Sequence, residues 1–171
     1  MYKLLFSTLL FIPLSLTAQV TNLKQMNEQE RHAYLVKKSK EIINNFGPGY
    51  YREDMAPVIS NDTHLFVYDA NEMSIAPEIE PILIKNNGRK YYEVVCPYDT
   101  LIERLSWDFA AKIKIWEDDG QPIEIIFGNG IGINFFSRPY DNWIKDGIRD
   151  DEIIKYQKVE IPQYYIDQFK D

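Results

Sequence analysis

The sequence predicts an α+β domain, with an N-terminal helix packed on a curved antiparallel meander sheet of about six strands and a short C-terminal helix. Three observations carry that expectation. Residues 28–46 place apolar side chains at steps of three and four, the spacing of one helical face. From His64 onward, short β-rich runs alternate with turn residues. The pairs Asn87-Gly88, Asp119-Gly120 and Asn129-Gly130 then supply tight reversals between those runs.

The helix has a start and a stop. Asn27 is followed three residues later by Glu30, a capping-box spacing. Leu35, Val36, Ser39, Ile42, Ile43 and Phe46 share one face, while Lys37, Lys38, Lys40 and Glu41 fall largely elsewhere. Gly47 is expected in the left-handed capping conformation, and Pro48 blocks continuation.

Strands are expected near 64–69, 81–86, 89–96, 108–117, 122–128 and 131–136. At Asn87-Gly88 a two-residue turn would oppose Lys85 to Lys90, so that register stays open. At the next reversal, a three-residue loop with Gly120 in a left-handed bulge pairs Lys114 with Glu124, Ile113 with Ile125 and Ile115 with Ile123. A two-residue loop would instead set Lys114 against Ile125, so the like-with-like register is preferred. Asn129-Gly130 reads as a two-residue type I′ turn, which places Gly132 opposite Phe127 and Asn134 opposite Ile125.

With these registers one face collects Ala111, Ile113, Ile115, Ile123, Ile125, Phe127 and Phe136, the expected seat of the helix. The opposite face collects Lys112, Lys114, Trp116, Glu124, Ile126, Ile131, Ile133 and Phe135. Residues 137–151 read as a surface loop pinned by Trp143 and Ile144, and 152–161 as an edge strand with Ile154, Tyr156 and Lys158. Pro162 suits the first turn of the final helix, which holds Tyr165, Ile166 and Phe169. The order of elements is shared with cystatin-like and nuclear-transport-factor-like folds in layout alone, without a motif of either, and a closed lipocalin-like barrel of eight strands is the alternative architecture.

Residues 1–18 carry Lys3, an apolar run from Leu4 to Leu16 and the small residue Ala18, the pattern of a cleaved signal peptide. The expectation is an exported protein, periplasmic or extracellular, whose single domain occupies 19–171 and has no membrane span after cleavage. The remaining ~150 residues suit one core burying roughly two thirds of the unfolded surface. A net charge of −7 over 171 residues, with signs interspersed, does not offer the basic footprint of a nucleic-acid binder.

Chemistry is sparse. Cys96, the one cysteine, sits in the apolar run Val94-Val95-Cys96-Pro97 and reads as a buried structural thiol. His32 and His64 are widely spaced from it, so neither a metal site nor a cofactor is expected. Gly128-Asn129-Gly130-Ile131-Gly132 lacks the spacing of a nucleotide loop, and strands follow it. Asn61-Asp62-Thr63 is a formal N-glycosylation acceptor, and Asp99-Thr100-Leu101 resembles the short Asp-Thr-apolar sites of O-glycosylation in some exported bacterial proteins. The functional expectation is a non-catalytic module that recognises a protein or glycan through Trp116, Phe135, Lys112 and Lys114. The alternative is a cell-envelope hydrolase using carboxylates or His64.

Overall fold

A computed structural model of the chain describes residues 21–70 and 76–159. The signal peptide expected at 1–18 and the helix expected after Pro162 both lie outside the described residues. Among the described residues three α-helices, α1 (Glu28–Phe46), α2 (Glu80–Asn86) and α3 (Tyr140–Asp146), accompany six strands. The strands are β1 (Val58–Ile59), β2 (His64–Leu65), β3 (Lys90–Cys96), β4 (Ala111–Trp116), β5 (Pro122–Phe127) and β6 (Gly132–Asn134). All pairings are antiparallel. The order is β1-β3-β4-β5-β6, with β2 also on β3, so the sheet is open and the barrel is excluded. The fold is α+β.

α1 begins and ends where its sequence places it. The Asn27 side chain accepts from the Glu30 N–H at 2.9 Å, and the Glu30 carboxylate accepts from the Asn27 N–H at 3.3 Å, so two orphan donors of the first turn are satisfied reciprocally. Leu35, Ser39, Ile42, Ile43 and Phe46 are buried against the sheet. Gly47 differs from expectation, because its φ of −162° is extended rather than left-handed. Crowding explains why glycine stands there. A Cβ would come 2.5 Å from the Phe127 ring.

The β4–β5 register follows the like-with-like pattern for most of its length, with Lys114 opposite Glu124 and Ile113 opposite Ile125. Gly120 takes φ +67°. Toward the turn, however, Ile115 faces Pro122 rather than Ile123. The extra residue is a β-bulge, and it lets Pro122 and Ile123 both be buried.

The β5–β6 hairpin corrects the sequence reading. Of the two turn residues only Gly130 has positive φ, +87°, so the type I′ turn does not form. Instead the Phe127 N–H donates to the Ile131 carbonyl at 2.9 Å and closes a three-residue loop, Gly128 to Gly130. That one added residue slips the strand. Ile133 now faces Ile125, Asn134 faces Glu124 and Gly132 faces Ile126. A slip of one residue exchanges the two faces, so Phe135 enters the core and Phe136 leaves it. The physical gain is direct: Ile133 and Phe135 turn toward the core in place of Gly132 and Asn134.

Residues 81–86 form α2 rather than a strand. A short apolar run fits either state by pattern alone, and Pro81, which lacks an N–H, sits at the start of the helix where that donor is not needed. Asn87-Gly88 is therefore the exit from a helix, with Gly88 at φ +83° and its N–H on the Phe66 carbonyl at 2.8 Å. Val58–Ile59 supplies the strand that the sequence reading placed elsewhere. Residues 152–159 hold no strand. Their backbone is tied at separate points, from Ile154 N–H to the Phe46 carbonyl at 2.6 Å and from Gln157 N–H to the Tyr50 hydroxyl at 3.2 Å. The segment 137–151 contains α3, and Trp143 pins it with its ring 5.4 Å from Phe46.

Candidate binding face

The face of the sheet turned away from α1 is built from the alternate residues of β3, β4 and β5: Tyr91, Glu93, Lys112, Lys114, Trp116 and Glu124. Alternation along a strand sends these outward while Tyr92, Val94, Ile113, Ile115 and Ile125 form the core. Opposite charges meet across the strands. Lys114 lies 2.7 Å from Glu124, and Lys112 lies 3.5 Å from Glu93. Desolvation alone would lower the Lys114 pKa, but Glu124, with Tyr91 and Glu93 beyond it, raises it above the ordinary range. Lys114 is thus held as a cation on a half-buried floor.

Lys112, Lys114 and Trp116 share this face, as their spacing in β4 requires. Trp116 is nonetheless only 5 % exposed. The Phe66 ring meets it edge-on at 5.4 Å, and the Arg89 guanidinium lies 4.1 Å above it. Phe135 is not on this face. It is buried on the core side, 5.5 Å from Phe46 and 5.6 Å from Tyr140, as a consequence of the three-residue loop.

What remains open on the outer face is a cleft of about 470 Å³ between β4, α2 and the segment that follows β2. Leu65, Val67, Tyr91, Leu83 and Phe136 give it apolar walls, and Lys114 with Glu124 lies among them. Leu65 and Val67 were legible only as part of an expected strand at 64–69. In the fold Phe66 turns in to Trp116, and its two neighbours stay 55 % and 67 % exposed. The sequence pattern places Phe136 in the core, and the hairpin slip brings it here.

The chemically reactive residues are dispersed. His64 stacks on Tyr91 at 5.4 Å on the outer side, whereas Cys96 points to the core and is 3 % exposed. Burial pushes the Cys96 thiol up to about 12, so it is not a nucleophile at neutral pH. Several carboxylates are held by partners: Asp118 and Asp119 by Arg89, Glu152 by Arg138 and Arg149, and Glu80 by the Tyr68 hydroxyl at 3.1 Å. Among the described residues no group of three or more His, Cys, Asp or Glu is placed to hold a metal ion, and no helix is long and apolar enough to cross a membrane. Compared with family models, curated proteins and solved structures, the chain matches none of them.

Proposed function

We propose that the chain is an exported, non-catalytic binding module whose outer sheet face takes a protein partner. One observation supports the reading above others: the cleft combines exposed Leu65 and Val67 with a fixed ion pair between Lys114 and Glu124. Apolar walls with a few oriented polar groups are the usual make-up of a binding site, and they suit the apolar or aromatic side chain of a peptide segment. Exposed apolar surface of this kind marks contact sites. A glycan is favoured by a different feature of the molecule. Trp107 is 52 % exposed and stacked on Phe109 at 5.9 Å, with Lys112 4.9 Å from the Phe109 ring, which is a planar platform beside a charge.

Selection of a displayed random-peptide library on the folded protein tests the protein reading, with Val67→Glu as the counter-screen. Peptides rich in aromatic and aliphatic residues are expected, losing at least tenfold in affinity on Val67→Glu. Failure to enrich any peptide sensitive to that change would overturn it. Binding to arrayed glycans that is lost in Trp107→Ala and kept in Val67→Glu would replace it with the glycan reading.

A further inference from the structure

Thr100 stands in the connection between β3 and β4, in a turn that is fastened on both sides. The Asp99 carboxylate accepts from the Leu101 N–H at 2.8 Å, and the Asp99 carbonyl accepts from the N–H groups of Ile102 at 3.1 Å and Glu103 at 3.0 Å. Beyond the turn, Arg52 clamps Glu103 with two hydrogen bonds of 2.6 and 2.8 Å. The Tyr98 hydroxyl closes the loop from beneath, accepting from the Leu105 N–H at 3.3 Å and donating to the Trp107 carbonyl at 3.0 Å. Thr100 is exposed, Leu101 is 93 % exposed and Ile102 is 79 % exposed.

Folding does not account for that display. A leucine and an isoleucine held side by side in water stabilise nothing in the core, and they carry a cost in solubility. Their position after an Asp-Thr pair supplies a reason. We propose that Thr100 is an acceptor for an O-linked glycan, added by a transferase that reads Asp99, Thr100 and Leu101 from this preformed turn. Once attached, the glycan lies beside Leu101 and Ile102 and shields them from water. The other Asp-Thr pair makes the contrast. Asp62-Thr63 is followed by His64, which is polar and already paired with Tyr91 in the sheet.

In the transfer, the Thr100 hydroxyl oxygen forms a bond to the anomeric carbon of a glycan activated as its diphosphate. The bond from that carbon to the diphosphate oxygen breaks, its electron pair leaves with the diphosphate, and the hydroxyl proton passes to a base of the transferase. The proposal rests on the export part of the reading above and is independent of the cleft.

The test is intact-mass and fragment-mass analysis of the exported protein recovered from its own host, in wild-type, Thr100→Val, Thr100→Ser and Leu101→Ser forms. The wild-type chain is expected to begin at Gln19 and to carry a whole number of monosaccharide residues on Thr100. Thr100→Ser keeps the added mass, Thr100→Val loses it with an unchanged denaturation midpoint, and Leu101→Ser lowers its occupancy several-fold. A chain that begins at Gln19 with a bare peptide from Tyr91 to Arg104, or with its sugar elsewhere, overturns the proposal and leaves export standing. A bare chain that still begins at Met1 overturns both.

Discussion

The Arg89 guanidinium lies 4.1 Å over the Trp116 ring while donating to Asp119 at 2.9 Å and to Asn86 at 2.6 Å. One side chain thereby joins the end of α2, the β4–β5 turn and the outer face of the sheet. Arg89→Ala removes the cover of Trp116 as well as these bonds. It should cost about 1–3 kcal/mol, since both the cation over the ring and the charged hydrogen bonds are lost. In a chain with Trp107 and Trp143 replaced by Phe, the emission should shift to the red and become more readily quenched by acrylamide. An unchanged spectrum would show that Trp116 does not depend on Arg89.

The hairpin slip is tested by two neighbours. Phe135 is 5 % exposed and packed among Phe46 and Tyr140, so Phe135→Ala should cost about 3–5 kcal/mol by leaving a cavity. Phe136 lines the outer cleft, and Phe136→Ala should cost about half as much or less. Denaturant midpoints of the two variants decide it. The reverse order is what a two-residue turn at Asn129-Gly130 would give.

This pair also marks where the sequence stops being informative. The Asn27 and Glu30 box is a local signal and is realised at the residues that carry it. The Lys114 and Glu124 pairing was legible because only one register matches charge with charge. At Asn129-Gly130 the dipeptide specifies a reversal but not its length, and which face is apolar follows from that length. Residues 81–86 offer too short an apolar run to distinguish strand from helix, and in the fold their buried Leu83 joins Leu65 and Phe136 at the cleft. The cleft is not legible in the sequence for the same reason: Leu65, Leu83 and Phe136 meet only through tertiary structure.

Two glycines separate crowding from strain. At Gly128 a Cβ would sit 2.5 Å from the Phe109 carbonyl oxygen and against the Leu105 side chain, neither of which is free to move away. Gly128→Ala should cost about 2–3 kcal/mol through overpacking. Gly88 has φ +83° with nothing within 4 Å, so Gly88→Ala meets backbone strain alone, about 1–2 kcal/mol. Thermal melts of both should show the larger loss at Gly128.

Acid should weaken the domain in part through Glu103. Its hydrogen bonds from Arg52 hold the carboxyl below the usual range; burial opposes this, and the Tyr156 hydroxyl adds to the lowering. A depressed folded pKa means stability that is present above the unfolded value and lost as pH falls through the folded one. The midpoint gap between wild type and Glu103→Gln should be full at neutral pH and shrink as the pH falls through and below the ordinary carboxylate range. A gap independent of pH would remove Glu103 from the acid transition.

Cys96 should behave as a packing group. Its thiol is 3 % exposed and pushed up to about 12, so an aromatic disulfide reagent should label the native protein slowly at pH 8 and label the denatured chain at once. Rapid native labelling would contradict its burial. Cys96→Ala should lower the unfolding free energy by about 1 kcal/mol.

On one side of the sheet, β3 is bordered by two strands of two residues each rather than by one long strand. Ser60 makes the break between them, donating its N–H to the Glu93 carbonyl at 3.0 Å and accepting the Glu93 N–H on its hydroxyl at 3.1 Å. A side chain thus occupies a backbone donor that a foreign strand would otherwise seek, and the intervening residues 61–63 loop away. Among the described residues, no continuous ribbon of open peptide groups is offered along that border for another chain to extend. The interruption thus leaves this flank of the sheet a poor template for a strand from another chain.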